Sequence, residues 1–318
     1  MAALFMIVAL MIVVARQNSS ASPAVLPLRL IDIRHFLFLS LLLCSLRLES
    51  LELRGWAEQG GLLRGQLAEG EQLLYRGEHL PLTASGQFIL GLDRDAPTEI
   101  DFSVLSGERR RYYQLAIAQR DYPTQHIDGV ASHHVTPSPA QRQRTAREAA
   151  SVRAARRSGS LAEDFLASFI WPADGPITGV FGSQRVYNGV PRRPHYGVDI
   201  AAPVGTTVVA PAAGRVTLAE PALFFSGGTL VVDHGHGLNS SFLHLSKLLV
   251  SVGERVEQGQ RIAEIGATGR ATGPHLDWRM NWTTANSDQR VDPQQLFRSP
   301  SWPLIESLLR QSTRESVQ

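Results

Sequence analysis

Short apolar runs separated by Gly, Pro and Asp dominate the sequence from about residue 60 onward. Many of these runs alternate apolar and polar residues, which is typical of strands with one buried face. They fall into two groups, one before residue 123 and one after residue 174. Few stretches show helical periodicity, so the pattern predicts a mainly β protein with two β-rich regions.

The first β-rich region, residues 56–130, has closely spaced glycines and a clear alternating run over residues 109–117. This spacing predicts a small antiparallel β module. No group of residues in it has catalytic spacing, and His79 stands alone, which favours an ordinary surface histidine. We therefore expect a binding or positioning role for this module.

Residues 131–169 predict a linker that contains a helix. Pro137 and Pro139 interrupt regular structure, and the Arg/Ala-rich stretch 141–157 has good helix propensity. Its arginines suit contact with anionic wall polymers or lipid headgroups. A solvated helix face is the interpretation that the pattern favours.

The second β-rich region, residues 170–298, predicts a mostly antiparallel, sandwich-like domain, followed by a tail over residues 299–318. Residues 205–211 and 214–219 read as a hairpin-like pair of strands. Further strands are expected over residues 229–233, 239–244 and 261–265. Ligands from distant strands would meet in such a domain.

Two apolar runs, residues 4–14 and 36–46, lie in the first 55 residues. Both are shorter than the ~20 residues that a membrane-spanning helix needs. The second follows Arg29, Arg34 and His35, the order of a signal peptide. We expect residues 1–55 to hold an export signal, with an uncleaved inner-membrane anchor as the alternative.

The composition limits the kinds of partner and metal site that the chain can have. The 318 residues carry a net charge of only +2, which argues for no nucleic-acid partner. The single cysteine, Cys44, excludes an intrachain disulfide and a cysteine-based zinc site. A metal site would have to use histidine and carboxylate ligands.

Three fragments carry such ligands: His195 with Asp199, His244, and His275 with Asp277. If residues 276–280 form a strand, His275 and Asp277 project to one face while the residue between them enters the core. A hydrolytic zinc ion takes three N or O ligands and leaves one position open for water. Remaining imidazoles can accept a proton or stabilise an oxyanion.

Two other histidines, His234 and His236, lie in a glycine-rich turn. A glycine-rich turn is usually exposed, so we expect these two side chains at the surface or at the rim of a substrate cleft.

Residues 171–292 closely resemble the catalytic domain of lysostaphin/LytM-type zinc metalloendopeptidases, which cleave peptide bonds in peptidoglycan. The segments that carry the resemblance are FG (181–182), HYGVDIAAPVG (195–205), APAAGRV (210–216), GHGL (235–238), LHLSK (243–247), VGERVEQGQ (252–260) and GATGRATGPHL (266–276). The β module resembles the amino-terminal region of some Gram-negative members.

The resemblance implies that His195 and Asp199 are zinc ligands and that His244 and His275 are catalytic imidazoles. The family's third ligand is the second histidine of a His-x-His motif, and this chain has Asp277 there. An aspartate oxygen has nearly the reach of the imidazole nitrogen nearest Cβ. A second carboxylate would neutralise the site, weaken activation of water and favour harder metals such as manganese.

Two functions stay open at this point. The first is an exported endopeptidase that uses one Zn²⁺ to hydrolyse stem or cross-link peptides of peptidoglycan in the periplasm or cell envelope. The second is a non-catalytic LytM-like regulator of cell-wall hydrolases, or a wall-binding protein, which Asp277 favours. Peptidoglycan peptides are the expected partner, with inner-membrane contact through the N-terminal apolar segment. Arg192, Arg193 and Arg279 flank the expected groove and suit the carboxylates of wall peptides, with solvated surface arginines as the alternative.

Overall fold

The computed structural model describes residues 51–129, 138–298, 302–305 and 309–312, which belong to one compact unit. The expected export signal, the start of the linker and most of the C-terminal tail lie outside the described residues. No helix in the described part of the chain is long and apolar enough to cross a membrane.

The first β-rich region forms two antiparallel sheets and one further short strand. Their eight strands are β1 (Glu52–Gly55), β2 (Leu62–Gln66), β3 (Glu71–Tyr75), β4 (Glu78–Leu80), β5 (Gln87–Gly91), β6 (Glu99–Ser106), β7 (Arg109–Ala116) and β8 (Thr124–Ile127). One sheet has the order β1-β2-β5. The other contains β7-β6-β3-β4, and the late strand β21 (Leu309–Ser312) adds to its β7 edge.

A single α-helix, α1 (Pro139–Arg156), is found among the described residues. Ser138 caps its N-terminus in a capping box with Gln141, and Pro139 occupies the first turn, where its missing N–H costs nothing. The last residue of the helix, Arg156, is buried. Its Nη2 donates to Asp288 Oδ2 at 2.8 Å, which ties the helix end to the second β-rich region.

The second β-rich region is built on a ten-stranded antiparallel sheet. The strands of this region are β9 (Ile177–Gly179), β10 (Gln184–Tyr187), β11 (Val190–Pro191), β12 (Val198–Ala201), β13 (Thr207–Val209), β14 (Gly214–Leu223), β15 (Gly227–Asp233), β16 (Leu238–Leu248), β17 (Arg255–Val256), β18 (Arg261–Ile265), β19 (His275–Thr283) and β20 (Asp288–Val291). Two short 3₁₀ turns, Asp164–Leu166 and Pro293–Phe297, flank it. The predicted mainly β fold is confirmed.

The central strands of this sheet run in the order β17-β14-β15-β16-β19-β12-β9. Strand β19 therefore lies between β16 and β12, and its register places Asp277 opposite both Leu243 and Asp199. Strands β10 and β11 form a separate small sheet in which β8 pairs parallel with β10. The three sequence fragments with candidate ligands thus converge on neighbouring strands.

The expected hairpin between residues 205–211 and 214–219 is wrong. Strand β13 pairs with β18, whereas β14 pairs with β15 and β17. At the end of β13, Ala210 donates its backbone N–H to Gln260, and Pro211 has no N–H with which to continue a ladder. The chain therefore changes partner between these two strands.

One hydrophobic cluster joins both β-rich regions. It contains Leu63 and Phe88 from the first region and Trp278 and Trp282 from the second, all essentially inaccessible to water. A side chain at Gly91 of β5 would collide with Trp282, since an added Cβ would lie 2.5 Å from its Cβ. The two regions are packed through a shared core, which burial of apolar surface stabilises.

Candidate metal centre

His195, Asp199 and Asp277 lie together, with one potential ligand atom of each within 4.8 Å of the others. All three side chains are buried. His195 Nε2 and Asp199 Oδ1 are 3.1 Å apart, yet neither atom nor His195 Nδ1 has a hydrogen-bond partner. Buried polar atoms are rarely left without partners. This orphaned pair fits the histidine and carboxylate ligands that a zinc ion takes.

Two glycines make room for the carboxylates. An added Cβ at Gly179 would lie 2.1 Å from Asp199 Oδ2, and one at Gly197 would lie 2.5 Å from Asp277 Oδ1. Both distances are shorter than any non-bonded contact allows. Strand β9 and the residue before β12 can therefore approach the buried carboxylates only with glycine at these positions.

Each carboxylate also has an arginine partner. Arg185 Nη2 donates to Asp199 Oδ2 at 2.5 Å. Arg279 forms a fork on Asp277, with Nε 3.0 Å from Oδ1 and Nη2 2.5 Å from Oδ2. Burial alone would raise the pKa of Asp277, but Arg279 and His195 outweigh it and hold that pKa far below its ordinary range. Both aspartates are ionised at neutral pH.

The arginines add positive charge that the sequence analysis did not include. Two carboxylates alone would neutralise a divalent cation, but Arg185 and Arg279 offset both negative charges. The Asp277–Arg279 pair carries no net charge. The neutral imidazole at the same position of the family's motif carries none either. The expected weakening of the metal's effect on water by a second carboxylate stays a prediction, and these two arginines act against it.

His244 and His275 lie beside these residues, with ring centroids 4.7 Å apart. Nδ1 of His244 lies 2.8 Å from the carbonyl oxygen of Thr268, and Nδ1 of His275 lies 2.8 Å from that of Gly273. A carbonyl only accepts, so each Nδ1 carries a proton, and Nε2 is the ring nitrogen of each that remains for other partners. Burial lowers the pKa of His244 to about 4, so this ring is neutral at pH 7.

The backbone at His244 is unusual. It has φ of 65°, in the left-handed region that a non-glycine residue rarely adopts. The pairing of β16 with β18 shifts register just after this residue. Such conformations persist where surrounding structure enforces them, often at functional sites. Here the bend in β16 coincides with an imidazole that lines the site.

An open cleft of about 720 Å³ lies over part of this group of residues. Its lining includes His195, His244 and Asp277, with Tyr187, Tyr196 and Phe225 on the walls. The arginines that line it are Arg142, Arg153, Arg185, Arg192, Arg193, Arg270, Arg279 and Arg290. Among the described residues that line the cleft, Asp277 is the only acidic one. A volume of this size is typical of ligand pockets.

Sequence reasoning missed several of these positions. Arg185, Arg270 and Arg290 stand in short strands or loops with no motif around them, and only the folded sheet brings them to the cleft. Gly179 and Gly197 look like ordinary turn or strand glycines in the sequence. Their closeness to the carboxylates depends on strand pairing that local pattern does not specify.

The expectation that His234 and His236 are exposed is wrong, since both are buried. His234 Nδ1 donates to Ala213 O at 2.7 Å, and its Nε2 lies 2.8 Å from the Ser240 hydroxyl. Phe169 and Phe165 pack against the two rings. Both imidazoles are therefore structural parts of the core.

A β-sheet that gathers an imidazole and two carboxylates under two further imidazoles, in an open cleft, defines a metallohydrolase-type protein. Residues 193–293 match peptidase family M23. A Pseudomonas aeruginosa protein assigned to peptidase M23, whose crystal structure is known, is 30% identical to this chain in sequence. The match covers 76% of this chain and 94% of that protein's chain, and the two structures superpose with a TM-score of 0.58. The chain belongs to peptidase family M23, a LytM-type peptidoglycan peptidase family.

Two curated relatives carry different descriptions. Peptidoglycan DD-endopeptidase ShyA of Vibrio cholerae is 38% identical over 35% of this chain and 26% of its own length. Murein hydrolase activator NlpD of Salmonella typhimurium is 32% identical over 38% of this chain and 30% of its own length. The chain thus spans less than a third of either relative.

Proposed function

We propose that this chain is an endopeptidase that hydrolyses peptide bonds in the stem or cross-link peptides of peptidoglycan. The observation that carries this proposal is the pair of buried ligand atoms on His195 and Asp199 that lack hydrogen-bond partners, close to the imidazoles of His244 and His275 at an open cleft. A purely structural site would be expected to pair these atoms with hydrogen-bond donors.

His195, Asp199 and Asp277 would hold one Zn²⁺. When bound, such an ion supplies a Lewis acid that lowers the pKa of water toward neutrality. Asp199 keeps Oδ1 without a hydrogen bond while Arg185 takes Oδ2, so this carboxylate can ligate and stay oriented. Asp277 shares its oxygens with Arg279, which makes it the weakest of the three proposed ligands.

The two remaining imidazoles supply proton transfer. His244 is neutral at pH 7, because burial lowers its pKa to about 4, and its Nε2 can take a proton from an attacking water. The carbonyls of Thr268 and Gly273 fix the ring orientations of His244 and His275. A proton received on Nε2 of either ring can pass to the departing amine, and the protonated ring stabilises negative charge on the carbonyl oxygen.

Peptidoglycan as the substrate is supported by the family and by the description of ShyA as a DD-endopeptidase. Acting on that polymer requires a location in the periplasm or cell envelope. Export by an N-terminal signal, or retention by an anchor with inner-membrane contact, is part of the same proposal.

A second candidate is a regulator of cell-wall hydrolases that keeps the cleft without turnover. The fork of Arg279 on Asp277 favours it, because the guanidinium already hydrogen-bonds both oxygens with which Asp277 would bind a metal. The description of the relative NlpD as a murein hydrolase activator supports this candidate.

Digestion of purified sacculi by the full chain, followed by mass analysis of released fragments, tests the proposal. We expect soluble fragments from one type of cleaved peptide bond, lost on chelation and in His244→Ala. The matched control is Arg261→Gln on the exposed side of β18, which leaves the cleft intact. Release of fragments only after a separate wall hydrolase is added would establish the regulator instead.

A further inference from the structure

A second cavity, of about 340 Å³, lies where the two β-rich regions meet. Its walls come from β4 and β5, from the segment after helix α1, from the turn before β16 and from the end of β19. It shares no lining residue with the arginine-lined cleft over the candidate metal centre. A cavity of this size is large enough for a small organic ligand.

Much of the wall of this second cavity is apolar. Leu80 and Ile89 line it from the first β-rich region, and Trp282 and Ala285 line it from the second. Leu161 also lines it, and this side chain is 66% exposed, so the cavity reaches the surface there. A ligand that fills the cavity would therefore bury an apolar group, which favours binding.

Two polar atoms of the lining residues are buried without hydrogen-bond partners, namely Oε1 of Glu78 and Nε1 of Trp282. Buried polar atoms nearly always have partners, so each exception needs an explanation. A carboxylate oxygen accepts hydrogen bonds, whereas an indole nitrogen only donates them. A ligand that satisfies both atoms therefore needs a donor for Glu78 and an acceptor for Trp282.

The wall that includes His236 is fixed by its backbone. This residue has φ of 48°, in the left-handed region that a non-glycine residue rarely adopts. Its N–H donates to the carbonyl oxygen of Ser160 at 2.9 Å, and the N–H of Thr283 donates to that of Gly237 at 2.9 Å. All four residues line the cavity. The cavity is therefore preformed, which reduces the cost of ordering on binding.

We propose that this cavity is a second binding site, which takes a small α-amino compound with an apolar side chain. The ammonium group donates to Oε1 of Glu78, and opposite charges strengthen that hydrogen bond. The neighbouring carbonyl oxygen accepts from Nε1 of Trp282, and the side chain packs against the apolar wall. A free amino acid and the amino terminus of a peptide both supply this chemistry. Water is the competing occupant, since it can donate and accept.

The test is a calorimetric titration of the full chain with L-phenylalaninamide, in EDTA and an amine-free buffer, so that no metal or buffer amine contributes. At about pH 6.5 an α-amino group is protonated. The comparison probe is N-acetylphenylalaninamide, which lacks the ammonium group. We expect phenylalaninamide to bind with a Kd below about 1 mM. The acetylated probe should bind at least about tenfold more weakly, because charged hydrogen bonds are the stronger ones.

Two further measurements locate the site. Glu78→Gln should weaken binding of phenylalaninamide at least about tenfold and leave binding of the acetylated probe unchanged. Glu99→Gln, an exposed position on β6 outside the cavity, is the matched control and should bind as the parent protein does. In a nitrogen–proton correlation spectrum, the indole N–H signal of Trp282 should shift during the titration. Loss of the signal in Trp282→Phe identifies it, or sequential assignment if that variant does not fold.

Titrations with free phenylalanine and with the peptide Phe-Gly-Gly separate the two sources of the ligand. Tighter binding of the first assigns the site to a free amino acid, and tighter binding of the second assigns it to a peptide amino terminus.

No binding of phenylalaninamide, equal binding of the two probes, or parent-like binding by Glu78→Gln would overturn the inference. An indole signal of Trp282 that does not move at saturation would also overturn it and leave water as the occupant. These measurements involve neither metal nor cleavage of sacculi, so their failure would leave the proposed enzyme function standing.

Discussion

Asp277 stands where the family's motif has a histidine, and its ion pair with Arg279 explains how the site accommodates the change. Arg279 covers both oxygens of a carboxylate that is almost wholly buried. Removing one member of a buried ion pair leaves the other charge without a partner, which typically costs about 3–5 kcal/mol. The two residues therefore have to be changed together to restore a histidine ligand.

The first prediction compares Asp277→His with the double variant Asp277→His/Arg279→Gln. The single variant should unfold at a clearly lower temperature, because Arg279 loses its partner. The double variant should recover stability and bind Zn²⁺ at least about tenfold more tightly than the parent, since imidazole is the ligand zinc favours over a shared carboxylate. Thermal unfolding and calorimetric zinc titration measure both effects. A single variant as stable as the parent would contradict the role given to Arg279.

At this scale the sequence was sufficient to locate His195, Asp199, His244, His275 and Asp277. Their motifs are local, and a strand over residues 275–283 places His275 and Asp277 two positions apart. The arginine partner of Asp199 could not be predicted from the sequence. Arg185 meets Asp199 across fourteen residues of chain and a separate small sheet, so no local pattern signals the contact.

Among the elements, helix α1 forms one wall of the arginine-lined cleft through Arg142 and Arg153. It is fixed near its middle and at its C-terminal end. Glu148 Oε2 accepts the backbone N–H of Phe224 at 2.9 Å, and the buried Arg156 pairs with Asp288. A helix without an apolar stripe depends on such polar anchors to stay in place.

The second prediction concerns the ion pair between Arg156 and Asp288. Arg156→Gln should lower the free energy of unfolding by about 2–4 kcal/mol, because it removes a buried partner of Asp288. Arg153→Gln, one turn earlier and exposed, should change it by less than about 0.5 kcal/mol. Urea unfolding of both variants measures the difference. Equal small effects would show that the Arg156–Asp288 pair does not hold the helix.

The positions of the strands along the chain were predicted well, but the pairing between strands was predicted less well. Residues 261–265 were expected as a strand and form β18 with those bounds. The pairing of β13 with β18 instead of β14 was not foreseen, because alternation identifies a strand but carries no information on its neighbour. The bend of β16 at His244 lies beside a register shift in another non-local pairing, that of β16 with β18.

Across the whole molecule, one core joins the two β-rich regions, and His234 is buried within it. Burial lowers the pKa of His234 below the ~6.5 of an unfolded chain. Below pH ~6.5 the unfolded chain therefore takes up a proton that the folded protein does not. The stability that neutral His234 contributes is complete above this pH and decreases as pH falls.

The third prediction follows from this direction of the pH dependence of stability. The free energy of unfolding should fall between pH 7.5 and pH 5.5. In His234→Gln this fall should be smaller than in the parent, and the difference should reach up to about 1.4 kcal/mol for each pH unit below 6.5. Part of the fall should persist in the variant, because burial also lowers the pKa of His244. Urea unfolding across this pH range measures both. A variant with the same pH dependence as the parent would exclude His234 as the source.

The most direct test of the account is a zinc titration of the full chain, freed of metal and followed by calorimetry, beside Asp199→Asn and the exposed control Asp101→Asn. The account predicts one Zn²⁺ per chain for the parent and the control, with binding weakened at least about tenfold in Asp199→Asn, because the variant loses a charged ligand next to His195. Absence of zinc binding by the parent, or unchanged affinity in Asp199→Asn, would contradict the proposed metal centre.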